Sequence, residues 1–234
     1  MSSANAVDDG VDGGVGGGAG GAGDRAVVDL LGVLAYAELT AFDRLAEDAR
    51  LAPTLAGRAA LARMAAAEIG HHQRLCDRLA ELGHDPAAAM APFTAPLDAF
   101  HDGTRAGTWL EGLVKAYVGD GLARDFHREV AAFLPEPDRG LVLEVLADTG
   151  YADFAVREVR AAIAEDRRLS GRLALWARRL VGEALTQSQA VIAERDDLAE
   201  LLITGTGDLN GVADLLQRLM DAHGERMRAL GLNG

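Results

Sequence analysis

A chain of 234 residues with 49% hydrophobic content can bury one substantial core. A formal charge of −13 at pH 7 disfavours non-specific contact with phosphate backbones and anionic lipid. A single cysteine, Cys76, rules out an internal disulfide and fits a reducing compartment. Aromatic content of 5%, no runs of Val, Ile and Thr between turns, and abundant Ala, Leu, Arg and Glu point to an all-α protein. Lys115 is the only lysine among 23 basic residues. That bias reads as genomic composition, so single arginines carry little information. No apolar run approaches the ~18 residues of a membrane span. The N-terminus lacks a basic segment followed by an apolar one, so a cytoplasmic protein with no membrane partner is expected.

Residues 1–24 are Gly-rich and hold almost nothing apolar to offset glycine's ordering entropy, so a disordered tail is expected there. Asp24 stands where it can cap the first helix. Residues 25–234 form the folded domain. Period-3.6 patterning and breakers give helices over about 25–50, 54–82, 105–133, 138–166, 170–203 and 208–230. Pro53, Gly83, Pro135, Pro137 and the Gly205-Thr206-Gly207 break punctuate them. The stretch 84–104 carries three prolines and reads as a long crossover. Short turns within the first and second helix pairs, with one long connection between the pairs, make the one-crossover arrangement of a ferritin-like four-helix bundle. Two additional helices follow at the C-terminus.

The apolar stripes of these helices are interrupted by charge. Glu38 sits among Leu34, Ala35, Ala41, Phe42 and Leu45. Glu68 and His71 interrupt Leu61, Met64, Ala65, Leu75 and Leu79. Leu113, Ala116 and Tyr117 lead to Asp120, while Val145, Ala152 and Ala155 flank Asp148 and Tyr151. An isolated ionised carboxylate in a dry core is too costly to persist, so buried ones are paired or bound to metal. Four carboxylates would repel one another unless protonated, paired with arginine or neutralised by cations. Two divalent ions would neutralise all four and accept an imidazole nitrogen. Glu38 precedes Glu68 by 30 residues and Asp120 precedes Asp148 by 28, which sets each pair at one height on an antiparallel hairpin. Glu68 and His71, at i and i+3, project from one face. Glu81/His84 and Asp98/His101 share the acid-x-x-His spacing but fall at a helix end and in the crossover, and are set aside as chance matches.

The segments AYAELTAFDRLAEDA, AAAEIGHHQRL, LVKAYVGDGLARDF, VLADTGYADF and LWARRLVGEALTQ resemble the actinobacterial ferritin-like proteins grouped with the tRNA 2-methylthio-isopentenyladenosine hydroxylases. The resemblance spans roughly residues 27–203. It implies a ferritin-like fold and a non-haem di-iron centre that activates oxygen, with Glu38, Glu68, His71, Asp120 and Asp148 as ligands. It also implies two iron ions as cofactor, or one, and a modified tRNA or a small molecule as substrate. One position departs from the family pattern. The second acid-x-x-His element ends in Tyr151, and a phenol titrating near ~10 substitutes poorly for imidazole, so Tyr151 stands only beside a second ion.

Two other readings compete with the enzyme. One is a non-catalytic metal-binding or scaffold protein with a degenerate second position. The other is a helical interaction module whose buried carboxylates are salt-bridged, by Arg63 or Arg124 for example; arginine or lysine inside the bundle beside Glu38 and Glu68 would favour it. Asp125, five residues after Asp120, is expected to be solvated. Arg167, Arg168, Arg172, Arg178 and Arg179 form a basic cluster of the kind a tRNA partner needs, though a solvated charged face is the simpler reading.

Overall fold

The computed structural model describes residues 19–147 and 151–232, and every described element is helical. Helix α1 (Ala19–Asp48) runs through a single 3-10 turn into α2 (Leu55–Glu81), and the two pack against each other along their length. Thr54 caps α2 by accepting from the Gly57 N–H at 3.0 Å. Gly83, at φ +83°, ends it, with the His84 N–H donating back to the Leu79 carbonyl. The expected tail at 1–24 lies outside the described residues as far as residue 18. From Ala19 onward the chain is already helical, which places Asp24 inside α1 rather than at its cap. Extending an existing helix costs far less than nucleating one, even through glycine.

The largest departure from the sequence reading is the crossover. Residues 84–104 are not a loop but contain α3 (Pro86–Gly103). Asp85 caps it by accepting from the Ala88 N–H at 3.0 Å, and Pro86 sits in the first turn, where a missing N–H costs nothing. Pro92 and Pro96 each remove an internal hydrogen bond. Packing compensates: Phe93 is fully buried, and α3 lies against α1 and α8. At Gly32 of α1 a Cβ would overlap the carbonyl oxygen of Ala89, so glycine is what lets these two backbones approach.

The third bundle helix is continuous but not uniform. It begins as α4 (Trp109–Val114), capped by Thr108, widens into a π-helical segment over Lys115–Asp120, and resumes as α5 (Gly121–Ala131). The helix expected over 138–166 is two, α6 (Asp138–Val145) and α7 (Tyr151–Glu165). Arg128 of α5 donates to the Leu146 carbonyl at 3.0 Å, taking an acceptor left over at the end of α6. The helix expected over 170–203 is also two, α8 (Arg168–Glu194) and α9 (Asp196–Thr206). Arg195, at the break, turns inward to pair with Asp29 and lies 5.4 Å from the centroid of the Phe93 ring.

Helix α10 (Leu209–Leu230) closes the core with Leu215, Leu219, Met227 and Leu230 against α5, α7 and α9. Arg226 of α10 pairs with Asp125 at 2.7 Å. Asp125 is therefore an ion-pair partner rather than a solvated residue. Helix α10 covers the face that would otherwise expose it. Among the described residues no helix is long and apolar enough to cross a membrane.

Candidate metal centre

The apolar stripe of α1 delivers Glu38 into the interface with α2, where Glu68 and His71 stand one turn apart. Glu38 is 6% and Glu68 3% exposed. His71 Nδ1 lies 3.2 Å from Glu68 Oε2 and 3.5 Å from Glu38 Oε2. One ligand atom from each of the three residues falls within 4.8 Å of the other two, which makes them the group among the described residues able to hold a metal ion. Glu38 Oε2 is buried and has no hydrogen-bond partner. Such an orphan acceptor costs roughly 1–3 kcal/mol unless something cationic or protic fills the gap.

The electrostatics follow from this geometry. Burial drives the Glu38 carboxyl well above the usual carboxylate range, and the neighbouring Glu68 adds to the effect. Burial also opposes ionisation of Glu68, but the His71 hydrogen bond, the adjacent Glu38 carboxyl and the nearby Arg124 charge outweigh it and hold that carboxyl well below the ordinary range. His71 is raised to about 9, chiefly by the Glu38 and Glu68 carboxyls that stand against its ring nitrogen. Without an ion the cluster therefore retains protons, and those protons are what a metal would displace.

Of the residues expected to share this centre, Asp120 is not in the group. It sits at the end of the π segment, with Oδ1 3.3 Å from Arg44 Nη1. Asp148 lies outside the described residues. Tyr151 donates its hydroxyl to the Leu113 carbonyl at 3.2 Å, just before the segment where the helical ladder changes register. Burial, then the charges of Asp120 and Asp48, push the phenol well above 10, so it remains a neutral donor. Arg124, one turn after Asp120, donates to Glu68 Oε1 at 3.1 Å. Arg63 plays no such part and is exposed.

The donor set fits one ion: two carboxylates and an imidazole, with one carboxylate oxygen unpartnered. Among the described residues no second group of ligands forms beside it, and guanidinium groups stand against the outer oxygen of Glu68 and against Asp120. Arg44 was invisible in the sequence reading because arginine is so abundant here. His72, beside the cluster, is tied by Nδ1 to the Ala35 carbonyl at 2.8 Å, with Cys76 Sγ 3.5 Å from its Nε2. In the basic cluster of α8, Arg179 donates to the Gly103 carbonyl at 2.6 Å and Arg172 lies 3.9 Å from Glu111, so part of it is spent within the protein.

A family model described as a ferritin-like domain of actinomycetes matches residues 22–205. No curated protein matches the chain significantly.

Proposed function

This chain belongs to the ferritin-like family of actinomycetes, and from that premise we propose that its bundle binds a single divalent transition-metal ion, iron being the expected one, between Glu38, Glu68 and His71. The observation that carries the reading is the buried, unpartnered Oε2 of Glu38, aimed into a group that already holds a carboxylate and an imidazole. Glu38 and Glu68 would supply charge, and His71 a borderline-soft nitrogen. Arg124 would hold Glu68 in place through its other oxygen. When bound, the ion would supply a Lewis-acid and redox centre, while the burial of Glu38 and Glu68 limits the access of water.

A second reading is the oxygen-activating di-iron hydroxylase, acting on a modified tRNA or a small molecule. It is favoured by the π-helical segment that carries Asp120 on the third bundle helix, since such segments concentrate at functional sites. It requires Arg124 and Arg44 to release Glu68 and Asp120 to a second ion. A third, a salt-bridged bundle without metal, is favoured by the Arg124–Glu68 pair itself.

Metal analysis after anaerobic iron loading separates the three. About one iron per chain, lost in His71→Ala, supports the proposal. Two irons with oxygen consumption would replace it by the hydroxylase, and no retained metal in the wild-type protein would leave the salt-bridged bundle.

A further inference from the structure

Below the metal cluster, where α1 ends, a pocket of about 280 Å3 opens between α1, α3 and the π segment. None of Glu38, Glu68 or His71 lines it. Lys115 does, and its side chain is the least exposed of the cations in that lining, at 4% for the whole residue. Its Nζ donates to the Thr104 carbonyl at 2.8 Å and lies 5.4 Å from the centroid of the Phe100 ring. No carboxylate stands within ion-pairing distance of it among the described residues. The carbonyl and the ring face satisfy part of an ammonium's needs, but it has three hydrogens and a strong hydration shell to replace, so burial still tips the balance toward the amine.

The choice of residue sharpens the point. Twenty-two of the 23 basic residues are arginine, which stays charged wherever it is put. The sole lysine occupies a buried position beside a cavity and close to the Arg44 guanidinium. Burial, then the charges of Arg44 and Arg105, lower its pKa to about 7, with Asp120 and Asp48 opposing. A desolvated lysine next to another cation is the arrangement that makes an amine nucleophilic at neutral pH.

We propose that Lys115 is a site of reversible imine formation with a small aldehyde carrying an anionic group, drawn into this pocket from solvent. The Nζ lone pair attacks the carbonyl carbon to give a carbinolamine. The two amine hydrogens then leave with the carbonyl oxygen as water, and a C=N bond remains; no oxidant or reductant takes part. Arg50 is the recognition element for the anionic group. It lines the pocket, is exposed, and has no carboxylate partner among the described residues, whereas Arg44 is engaged with Asp120 and Arg105 with Asp102. Glu47, Asp48 and Asp102 line the same pocket, so the charge pattern admits one anionic group beside Arg50 rather than a polyanion.

The test uses the full-length protein at pH 7, with glyoxylate and cyanoborohydride to trap the imine, followed by peptide mapping by mass spectrometry. The N-terminal amine serves as internal reference. The expected result is an adduct at Lys115 that saturates with glyoxylate and forms about three- to fivefold faster than at the terminal amine, the ratio of their free-amine fractions at pH 7. In urea, where the lysine regains its ordinary pKa, that advantage should vanish. Glycolaldehyde, of similar size and uncharged, should label Lys115 without saturating in the same range, and Arg50→Gln should bring glyoxylate down to its level. A labelled terminus with an unlabelled Lys115 in the folded protein would overturn the site. Labelling no faster in the folded protein than in urea would do the same, and unchanged discrimination in Arg50→Gln would overturn the assignment of the anionic group.

Discussion

Replacing Glu38 by Gln separates the metal site from the fold. Burial keeps the Glu38 carboxyl protonated at neutral pH when no ion is bound, so Gln reproduces its charge and shape. The orphan Oε2 costs roughly 1–3 kcal/mol. A glutamine amide placed there has donors to offer the Glu68 carboxylate, so part of that cost is recovered. Urea unfolding of the apo protein should therefore show Glu38→Gln equal to wild type or up to about 1 kcal/mol more stable, a rise of ~2–4 °C in Tm for a domain of this size. Metal should reverse the order. At a hundredfold excess of Fe(II) over its Kd the wild type gains about 2.7 kcal/mol, and the variant, lacking one of three ligands, should gain almost none. A loss of more than about 2 kcal/mol in the apo variant would mean that Glu38 is a structural ion-pair partner and would refute the reasoning. So would a metal-induced gain equal to that of the wild type.

Lys115 gives the fold a pH dependence of definite sign. Its pKa is lower in the folded than in the unfolded chain, so its contribution is complete above the unfolded value near 10.5 and is lost as pH falls through about 7. Wild type minus Lys115→Met should accordingly gain stability with a slope of up to about 1.4 kcal/mol per pH unit between pH 7 and 10, measured by urea midpoints; a flat difference would count against a buried amine. Gly32→Ala drives a Cβ into the Ala89 carbonyl and should cost roughly 2–4 kcal/mol, whereas Gly182→Ala, on an open face of α8 with nothing within 4 Å, should stabilise by about 0.5–1 kcal/mol. Arg124→Gln frees Glu68 Oε1, and iron loading should rise from about one ion per chain toward two if the guanidinium is what excludes a second; an unchanged stoichiometry would show that Asp120 and its neighbours do not form a site.

Glu38, Glu68 and His71 were legible because a charge on an apolar stripe demands an explanation, and because i and i+3 point one way along a helix. Helix boundaries set by caps were legible for the same kind of local reason, at Thr54 and Gly83. The α3 helix was not. Its prolines read as breakers, and only packing of Phe93 and the close Gly32–Ala89 contact, both distant in sequence, hold it helical. The breaks after Val145 and at Arg195 carry no proline to mark them, and the contacts made there, by Arg128 and Asp29, come from other helices. Arg44 went unseen for a compositional reason, and Lys115 because a lysine in an apolar run reads as one that extends to solvent.

The charges beneath the apolar shell also bear on how many ions the bundle can hold. Among the described residues Glu38, Glu68 and Asp120 face Arg44 and Arg124, three formal negatives against two permanent positives. Without metal both the Glu38 carboxyl and His71 hold a proton, so this interior carries one surplus positive charge. A divalent ion that displaces both protons leaves that single surplus charge unchanged, and partly exposed Arg44 and Arg124 can share it with solvent. A second ion would leave three, in a setting where like charges within a few Å cost several kcal/mol at an effective dielectric of ~20. Guanidinium and metal thus act as alternative counterions in this fold. The position next to Glu38 is the one that no guanidinium reaches, and it is there that a cation would lower the energy of the bundle rather than raise it.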